Sequence, residues 1–218
     1  MQNKVNFSGS YVALITPMTF DGKVDFDALK KLVNWHIKSG TNGLVILGTT
    51  AESATLQIQE QLDVLNTVIE VNQKRLPIIV GSGSNSTAET VNKTQMFDEL
   101  TIDGFLTVTP YYNKPTQKGM VAHFKAVAEV TKKPIVLYNV PGRTVVDLSN
   151  DSVIELMSVP NIIGIKDATG DLSRVQVMKE AKNDFKLFSG DDITACQYVI
   201  EGGDGVISVT ANVEPVLM

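Results

Sequence analysis

The chain has few of the residues that would indicate metal binding, disulfide bonding, nucleic-acid binding or membrane insertion. It contains 218 residues, among them one cysteine, two histidines and one tryptophan. Cys196 alone cannot form an internal disulfide, and residues 1–10 lack the apolar core of a signal peptide, so we expect a cytoplasmic protein. No apolar run approaches the roughly eighteen residues of a membrane span. With a net charge of −5 and no basic cluster longer than Lys132-Lys133, a nucleic-acid partner is not expected.

What is present is a composition typical of globular proteins, 43% hydrophobic, in a regular alternation. Short β-branched runs alternate with longer amphipathic stretches, the pattern of βα units around a parallel sheet. The predicted strands are 11–15, 43–47, 77–80, 104–108, 134–138, 161–165, 186–188 and 205–209. The predicted helices are 26–39, 57–73, 87–100, 117–131, 149–158, 172–183 and 192–200.

This spacing predicts a single (β/α)₈ barrel domain over residues 1–218. Regular repeats without a linker or a shift in composition favour a barrel over a doubly wound open sheet. Only Asn212 to Met218 follow the eighth strand, so we expect the eighth helix to be a stub and a further C-terminal helical extension to be absent. An uncovered apolar sheet face is unfavourable, which predicts a subunit partner or a rearranged terminus over it.

Lys166 is the most informative residue of the chain. It follows the apolar run Asn161–Ile165, so it stands at the carboxyl end of a strand, where barrels of this kind build their active sites. A lysine at the mouth of an apolar strand loses hydration, which disfavours the charged form and leaves an amine able to attack a carbonyl. We therefore predict that Lys166 is a nucleophile.

Polar residues at the ends of neighbouring strands suit Schiff-base chemistry at this lysine. Tyr138 is a candidate proton shuttle, with Thr49 as its hydroxyl partner and Tyr112 to pass the proton onward. The guanidinium of Arg143 suits a carboxylate, and backbone N–H groups around Thr49 and Thr50 suit a second one. Taken singly, these residues also fit helix capping, a core aromatic and a surface ion pair. Together they favour a keto-acid substrate.

A metal site is not predicted. Asp191 and Asp192 are adjacent carboxylates, but no third carboxylate or histidine stands at a suitable spacing. His36 and His123 fall on separate predicted helices, which argues against a shared metal or triad role.

Four segments carry a resemblance to a known family. They are Gly48-Thr49-Thr50-Ala51-Glu52-Ser53-Ala54-Thr55-Leu56, Thr109-Pro110-Tyr111-Tyr112-Asn113-Lys114-Pro115, Tyr138-Asn139-Val140-Pro141-Gly142-Arg143-Thr144 and Gly164-Ile165-Lys166-Asp167-Ala168-Thr169-Gly170. In order and spacing the chain from Phe7 to Val213 resembles the dihydrodipicolinate synthase family, also called 4-hydroxy-tetrahydrodipicolinate synthase.

The resemblance implies a lyase of the class I aldolase type. It would condense pyruvate with L-aspartate 4-semialdehyde, toward diaminopimelate and lysine, without a metal or organic cofactor. It further implies a homo-oligomer, at least a dimer that shares one tyrosine. The implied roles are Lys166 as Schiff-base lysine, Tyr138 as proton shuttle, Thr49 as relay, Tyr112 as the residue given to a neighbouring subunit, Thr50 as pyruvate carboxylate binder, Arg143 as semialdehyde carboxylate binder, and Gly190 and Ile207 as backbone lining of the pyruvate pocket.

The resemblance also implies a lysine effector site, and it has departures. The effector positions correspond to Ser53, Ala54, Asn85, Glu89 and Tyr111. Ile58 and Gln61 stand where the family often has histidines, and Ala51 stands where it usually has glycine. Two alternatives stay open: another pyruvate-dependent aldolase, such as an N-acetylneuraminate lyase or a keto-deoxy-sugar aldolase, and a non-catalytic barrel.

Overall fold

Eight parallel strands form a closed barrel in the computed structural model, which describes residues 7–218. The strands pair in chain order and β8 pairs with β1, which confirms the predicted barrel. Residues 1–6, part of the segment read as lacking a signal peptide, lie outside the described residues. The strands are β1 (Gly9–Ala13), β2 (Gly43–Ile46), β3 (Ile78–Gly81), β4 (Gly104–Val108), β5 (Ile135–Asn139), β6 (Ile162–Asp167), β7 (Lys186–Ser189) and β8 (Gly205–Ser208).

Helices surround the barrel, and some of them begin at a residue whose side chain caps them. Asp25 accepts a hydrogen bond from Ala28 N at the start of the first helix, and Ser149 accepts one from Ser152 N at the start of the helix that begins at Asn150. A short helix at Pro141–Thr144 was not predicted. The helices are α1 (Phe26–Lys38), α2 (Ile58–Asn72), α3 (Thr87–Asp98), α4 (Gln117–Glu129), α5 (Pro141–Thr144), α6 (Asn150–Leu156), α7 (Ser173–Ala181) and α8 (Ala195–Ile200).

Strand alternation divides the apolar side chains into two layers, because successive residues point to opposite faces of the sheet. The larger layer lies between sheet and helices and includes Leu44, Phe105 and Leu187. The smaller layer fills the barrel lumen and includes Tyr11, Val136 and Phe188. Tyr138, a predicted site residue near the end of β5, belongs to this lumen layer.

A short 3₁₀ turn, Thr210–Asn212, follows β8 in place of a full helix, as predicted. The side chain of Asn212 donates to Ala13 O at 2.8 Å and accepts from Ile15 N at 3.1 Å, so it joins the turn to the end of β1. Val213, Val216 and Leu217, beyond the turn, are exposed. No helix among residues 7–218 is long and apolar enough to cross a membrane.

Candidate active site

Lys166 and Tyr138 are direct neighbours across β5 and β6. The two residues are register partners in the parallel ladder, so their side chains enter the lumen at the same level. The Nζ atom of Lys166 lies 4.4 Å from the centroid of the Tyr138 ring. Both side chains are buried, with relative exposures of 4% for Lys166 and 6% for Tyr138. The predicted lysine and tyrosine are therefore brought together.

Burial sets the charge state of this lysine. Desolvation lowers the pKa of Lys166 to about 8, because the ammonium form loses its hydration inside the barrel. The carboxylate of Asp192 acts in the opposite direction and the guanidinium of Arg143 adds to the lowering. A pKa in this range gives a substantial neutral fraction at mildly basic pH, which a nucleophilic amine requires.

The hydroxyl of Tyr138 has a partner at the end of β2. Its pKa is raised, chiefly by burial, while a hydrogen bond with the Thr49 side chain and the charge of Arg143 act against the rise. These partners stabilise the phenolate relative to an isolated buried tyrosine. The arrangement suits a group that gives up and regains a proton during a reaction.

A cavity of about 280 Å³ lies beside this pair at the carboxyl end of the barrel. Thr49, Tyr138 and Arg143 all line it. Lys166 is not among the lining residues, but its Nζ lies 4.4 Å from the ring of the lining residue Tyr138. Arg143 stands on the unpredicted helix α5 and is exposed toward the cavity mouth. Such a volume suits a small acid. The other lining residues are Leu47, Gly48, Glu52, Ser53, Ala54, Gly81, Gly83, Lys93, Leu106, Val108, Tyr111, Val140 and Thr144.

Gly190 lies against the lysine stem. A Cβ atom at this position would be 2.9 Å from Lys166 Cε and 2.9 Å from Ala168 Cβ, distances that real Cβ atoms do not show. The Gly190 N–H donates to Asp167 O at 2.7 Å, which holds the chain this close. Ile207, the other predicted backbone position, is fully buried in the lumen layer on β8.

The segment after β2 turns sharply at the predicted carboxylate-binding residues. The N–H of Ala51 bonds to Gly48 O and that of Glu52 bonds to Thr49 O, while Thr50 is half-buried between them. The left-handed residue of this turn is Glu52, with φ of 54°, and Ala51 is not among the positive-φ residues. Ala51 therefore causes no backbone strain, and this position does not require the glycine that the family usually has there.

Tyr112 is separated from the other predicted catalytic residues. Its side chain is 87% exposed and it does not line the cavity of its own chain, whereas the preceding residue, Tyr111, does. The backbone of Tyr112 has φ of 73°, an uncommon conformation for a residue with a side chain. Within one chain the structure does not bring Tyr112 to Tyr138.

Three of the five predicted effector residues line the same cavity. Ser53, Ala54 and Tyr111 line it. Glu89 accepts a hydrogen bond from Ser84 Oγ at 2.8 Å and forms an ion pair with Lys93 Nζ at 3.0 Å. The carbonyl of Asn85, the fifth effector position, accepts a hydrogen bond from the side chain of Asn113 at 3.0 Å. Gln61, which stands at a family histidine position, instead donates to two carbonyls of the turn before α2.

The adjacent carboxylates after β7 are engaged with the protein. Asp191 accepts hydrogen bonds from the backbone and side chain of Thr194. One oxygen of Asp192 accepts from Val209 N, Thr210 N and Thr210 Oγ1 at 2.8–3.0 Å, and the other is buried without a protein partner. Within the described residues no group of three or more histidine, cysteine or acidic side chains is arranged to hold a metal ion.

The sequence did not reveal the influence of Asp192 on Lys166. The two are far apart in the chain, and the only local signal was the pair of acidic residues after a strand. The interaction follows from the pairing of β6 with β7, which sets the end of β7 beside the end of β6.

Known proteins resemble this chain over nearly its whole length. Residues 6–218 match the model of the dihydrodipicolinate synthetase family. The chain is 55% identical over 210 residues to the 4-hydroxy-tetrahydrodipicolinate synthase of Pseudoalteromonas atlantica, covering 96% of this chain and 72% of that protein. It is 54% identical over 209 residues to the enzyme of the same name from Laribacter hongkongensis, covering 95% of this chain and 72% of that protein.

Solved structures give the same result. A dihydrodipicolinate synthase from Acinetobacter baumannii, determined in complex with pyruvate, superposes with a TM-score of 0.95 at 51% identity. The alignment covers 98% of this chain and 74% of that one, so the chain spans about three quarters of the length of its relatives. The match over nearly all of this chain, in sequence and in structure, shows that it belongs to the dihydrodipicolinate synthetase family.

Proposed function

We propose that the chain acts as a 4-hydroxy-tetrahydrodipicolinate synthase, a lyase that condenses pyruvate with L-aspartate 4-semialdehyde through a Schiff base on Lys166. The observation that carries the proposal is a buried lysine of lowered pKa, 4.4 Å over the ring of Tyr138, at the strand ends of a closed barrel. Relatives at 55% and 54% identity bear this name, which favours the activity over a sugar-acid lyase or a non-catalytic barrel.

The reaction begins at the amine. Neutral Lys166 attacks the keto carbon of pyruvate, and the carbinolamine loses water to give an imine. Tyr138 donates the proton that leaves with this water and recovers one from the substrate methyl group as the enamine forms. Its hydrogen bond with Thr49 holds the hydroxyl in place for both transfers. The turn at Thr49 and Thr50 offers backbone N–H groups and hydroxyls to the pyruvate carboxylate.

The second half forms the carbon–carbon bond. The enamine carbon attacks the aldehyde of the semialdehyde, whose carboxylate binds the guanidinium of Arg143 at the cavity mouth. The amino group of the semialdehyde then displaces the lysine from the imine carbon, which closes the six-membered ring and restores Lys166. The net products are the cyclic hydroxy acid and one water. Gly190 and Ile207 line the inner wall around the lysine stem.

Borohydride trapping tests the proposal. Pyruvate and borohydride together should add one reduced three-carbon adduct at Lys166, read by mass spectrometry of the peptides. Lys186 is an internal control, because it also stands on a strand but is ion-paired with Asp204 at 2.8 Å, and it should stay unmodified. A folded protein without an adduct at Lys166 would contradict the proposal.

The proposal includes a homo-oligomer in which Tyr112 serves the site of a neighbouring subunit. Its support is the 87% exposure of Tyr112 together with its absence from the cavity of its own chain. Mixing inactive Tyr112→Phe and Lys166→Ala proteins tests it, because a mixed assembly contains sites with both residues intact. Recovery of activity on mixing is the expected result, and no recovery in a confirmed mixed oligomer opposes sharing.

The proposal also includes a cytoplasmic location and a single catalytic domain. The one cysteine, Cys196, is a free, exposed thiol, which suits a reducing compartment. Closure of the barrel through β8 and β1 supports one folding unit, and a single cooperative unfolding transition is the expected observation.

A further inference from the structure

The residues directly after Tyr138 and Lys166 point away from the lumen. Asn139 and Asp167 form the next register pair along β5 and β6. Since side chains alternate along a strand, they face the helices while the preceding pair faces the cavity. Both are buried, at 0% exposure for Asn139 and 3% for Asp167. The ends of these two strands therefore carry catalytic candidates on one face and buried polar groups on the other.

Asp167 is bound from two directions. One carboxylate oxygen accepts from Arg174 Nε at 2.7 Å, and the other accepts from the N–H and the hydroxyl of Thr169 at 2.9 and 2.6 Å. Arg174 lies on α7 and is itself only 6% exposed. A charged pair this deeply buried retains its geometry, because separating it would leave an uncompensated charge out of water.

Asn139 is bound in the same way to the segment after α5. Its amide donates to Asp147 Oδ1 at 2.7 Å, and its carbonyl oxygen accepts from Leu148 N at 3.0 Å. Both hydrogen bonds therefore join the Asn139 side chain to the same segment, Asp147-Leu148. This segment continues from the helix that carries Arg143.

Arg174 connects the partners of Asp167 with those of Asn139. Besides Asp167, it donates through Nη2 to Leu148 O at 2.8 Å, and Nη1 lies 3.8 Å from Asp147 Oδ1. One guanidinium thus spans β6, α7 and the segment that holds Asn139. A lysine cannot make these contacts together, since it lacks the planar fork.

We propose that Arg174 is a positioning residue for the reaction, acting through Asp167 and Asn139 to hold the ends of β5 and β6 so that Lys166 and Tyr138 meet. The inference rests on the proposed function. Asn139 follows Tyr138 on β5, and Asp167 follows Lys166 on β6. A strand end that shifts or rotates moves the side chains on both of its faces. Loosening Asn139 and Asp167 therefore displaces the two residues that face the lumen. A misplacement of about 1 Å at reacting groups can cost about 10²-fold in rate.

The test compares Arg174→Met and Arg174→Lys with a matched control, Lys179→Met. Lys179 stands on the same helix and forms a partly buried ion pair with Asp204 at 2.8 Å, but that pair lies at the opposite end of the barrel. We expect both Arg174 variants to lower kcat by about 10²-fold with little change in the KM for pyruvate. The control should retain kcat even if it loses a similar amount of thermal stability.

A second readout needs no substrate. The pH profile for reductive methylation of Lys166 by formaldehyde, with cyanoborohydride as the hydride donor, reports whether its amine is still held in the apolar site. In Arg174→Met the midpoint should move to higher pH as water reaches the amine, and in Lys179→Met it should stay where it is in the wild type. If wild-type protein forms no adduct with pyruvate, the proposed function fails, and this profile still decides the positioning role.

A double variant, Asp167→Leu with Arg174→Met, covers the case in which a single variant fails to fold. It removes both charges together, so no uncompensated charge stays buried. We expect it to fold, with low kcat and a raised methylation midpoint. A folded single or double variant with kcat within about twofold of the control and an unchanged midpoint would overturn the proposal.

Discussion

Gly190 lies so close to Lys166 that a Cβ atom on the glycine would be 2.9 Å from Cε of the lysine. The lysine stem therefore passes through space that any other residue at 190 would occupy. The inner end of the candidate site therefore requires a residue without a side chain directly after β7, as well as the lysine on β6.

Gly190→Ala should displace the lysine and lower kcat by about 10²-fold, because the added methyl meets both Lys166 and Ala168. Steady-state kinetics and thermal unfolding measure the effect. Gly119→Ala on α4 is the matched control, since its new methyl meets its nearest neighbours at 3.4 and 3.5 Å, ordinary contact distances. That control should keep its activity. Equal activity in the two variants would be inconsistent with the packing described.

Trapping of pyruvate on Lys166 should increase with pH through a midpoint near 8. Burial lowers the pKa of this amine to about 8, and only its neutral form attacks. The rate of borohydride-dependent adduct formation against pH gives the midpoint. A midpoint near the ordinary lysine value, about 10.4, would show that the amine is hydrated.

Two substitutions should move this midpoint in opposite directions. Asp192→Asn removes a charge that raises the pKa of Lys166, so the midpoint should fall. Arg143→Ala removes a charge that lowers it, so the midpoint should rise, by less because Arg143 is exposed and screened. Both profiles are best compared at low ionic strength. Shifts of the same sign would contradict the electrostatic assignment.

Tyr138→Phe should lower kcat by about 10²-fold or more while leaving the fold intact, because it removes the hydroxyl that we propose as the proton shuttle. Thr49→Val should cause a smaller loss, since it removes only the hydrogen bond to that hydroxyl. Tyr11→Phe serves as the control, because Tyr11 is a fully buried tyrosine of the same lumen layer and the charge that acts on it is that of Asp103, outside the site. A Tyr11 variant as impaired as the Tyr138 variant would contradict a specific role of the Tyr138 hydroxyl.

Arg143→Ala should raise the KM for aspartate semialdehyde more than that for pyruvate, because we propose that its exposed guanidinium, which lines the cavity, binds the carboxylate of the semialdehyde. Separate titrations of the two substrates measure this. Arg75→Ala is an exposed control whose guanidine bonds to carbonyls at the end of α2. An unchanged KM for the semialdehyde in the Arg143 variant would remove its assigned role.

Free L-lysine should inhibit this chain weakly, and Lys93→Met should make inhibition stronger. The amine of Lys93 already pairs with Glu89 at 3.0 Å, so an amine effector bound at the predicted effector residues would have to compete for that carboxylate. The pair is half-exposed and contributes at most about 1 kcal/mol, which corresponds to about fivefold in the inhibition constant. Kinetics with added lysine test this. Equal inhibition constants would exclude competition by Lys93.

The sequence predicted the strands well where apolar runs are complete, as at β4, and less well where polar residues continue a ladder. The sequence pattern predicts an end of β6 at Ile165, yet the strand runs to Asp167 because Lys166 and Asp167 still pair with β5. It began β1 at Tyr11, yet Gly9 already pairs with Gly205. A polar or glycine residue looks like a boundary in the sequence, whereas the hydrogen bonds of a neighbouring strand decide where pairing stops.

The sequence by itself determined the order of strands and helices and the polar residues at the strand ends, because periodicity and composition are local properties of the chain. Only the tertiary structure decided that Lys166 is buried over the ring of Tyr138, that Gly190 leaves room for its stem and that Arg174 binds behind it. These contacts join residues that are distant in the chain. Desolvation and close packing depend on which segments barrel closure brings together, and no single segment encodes them.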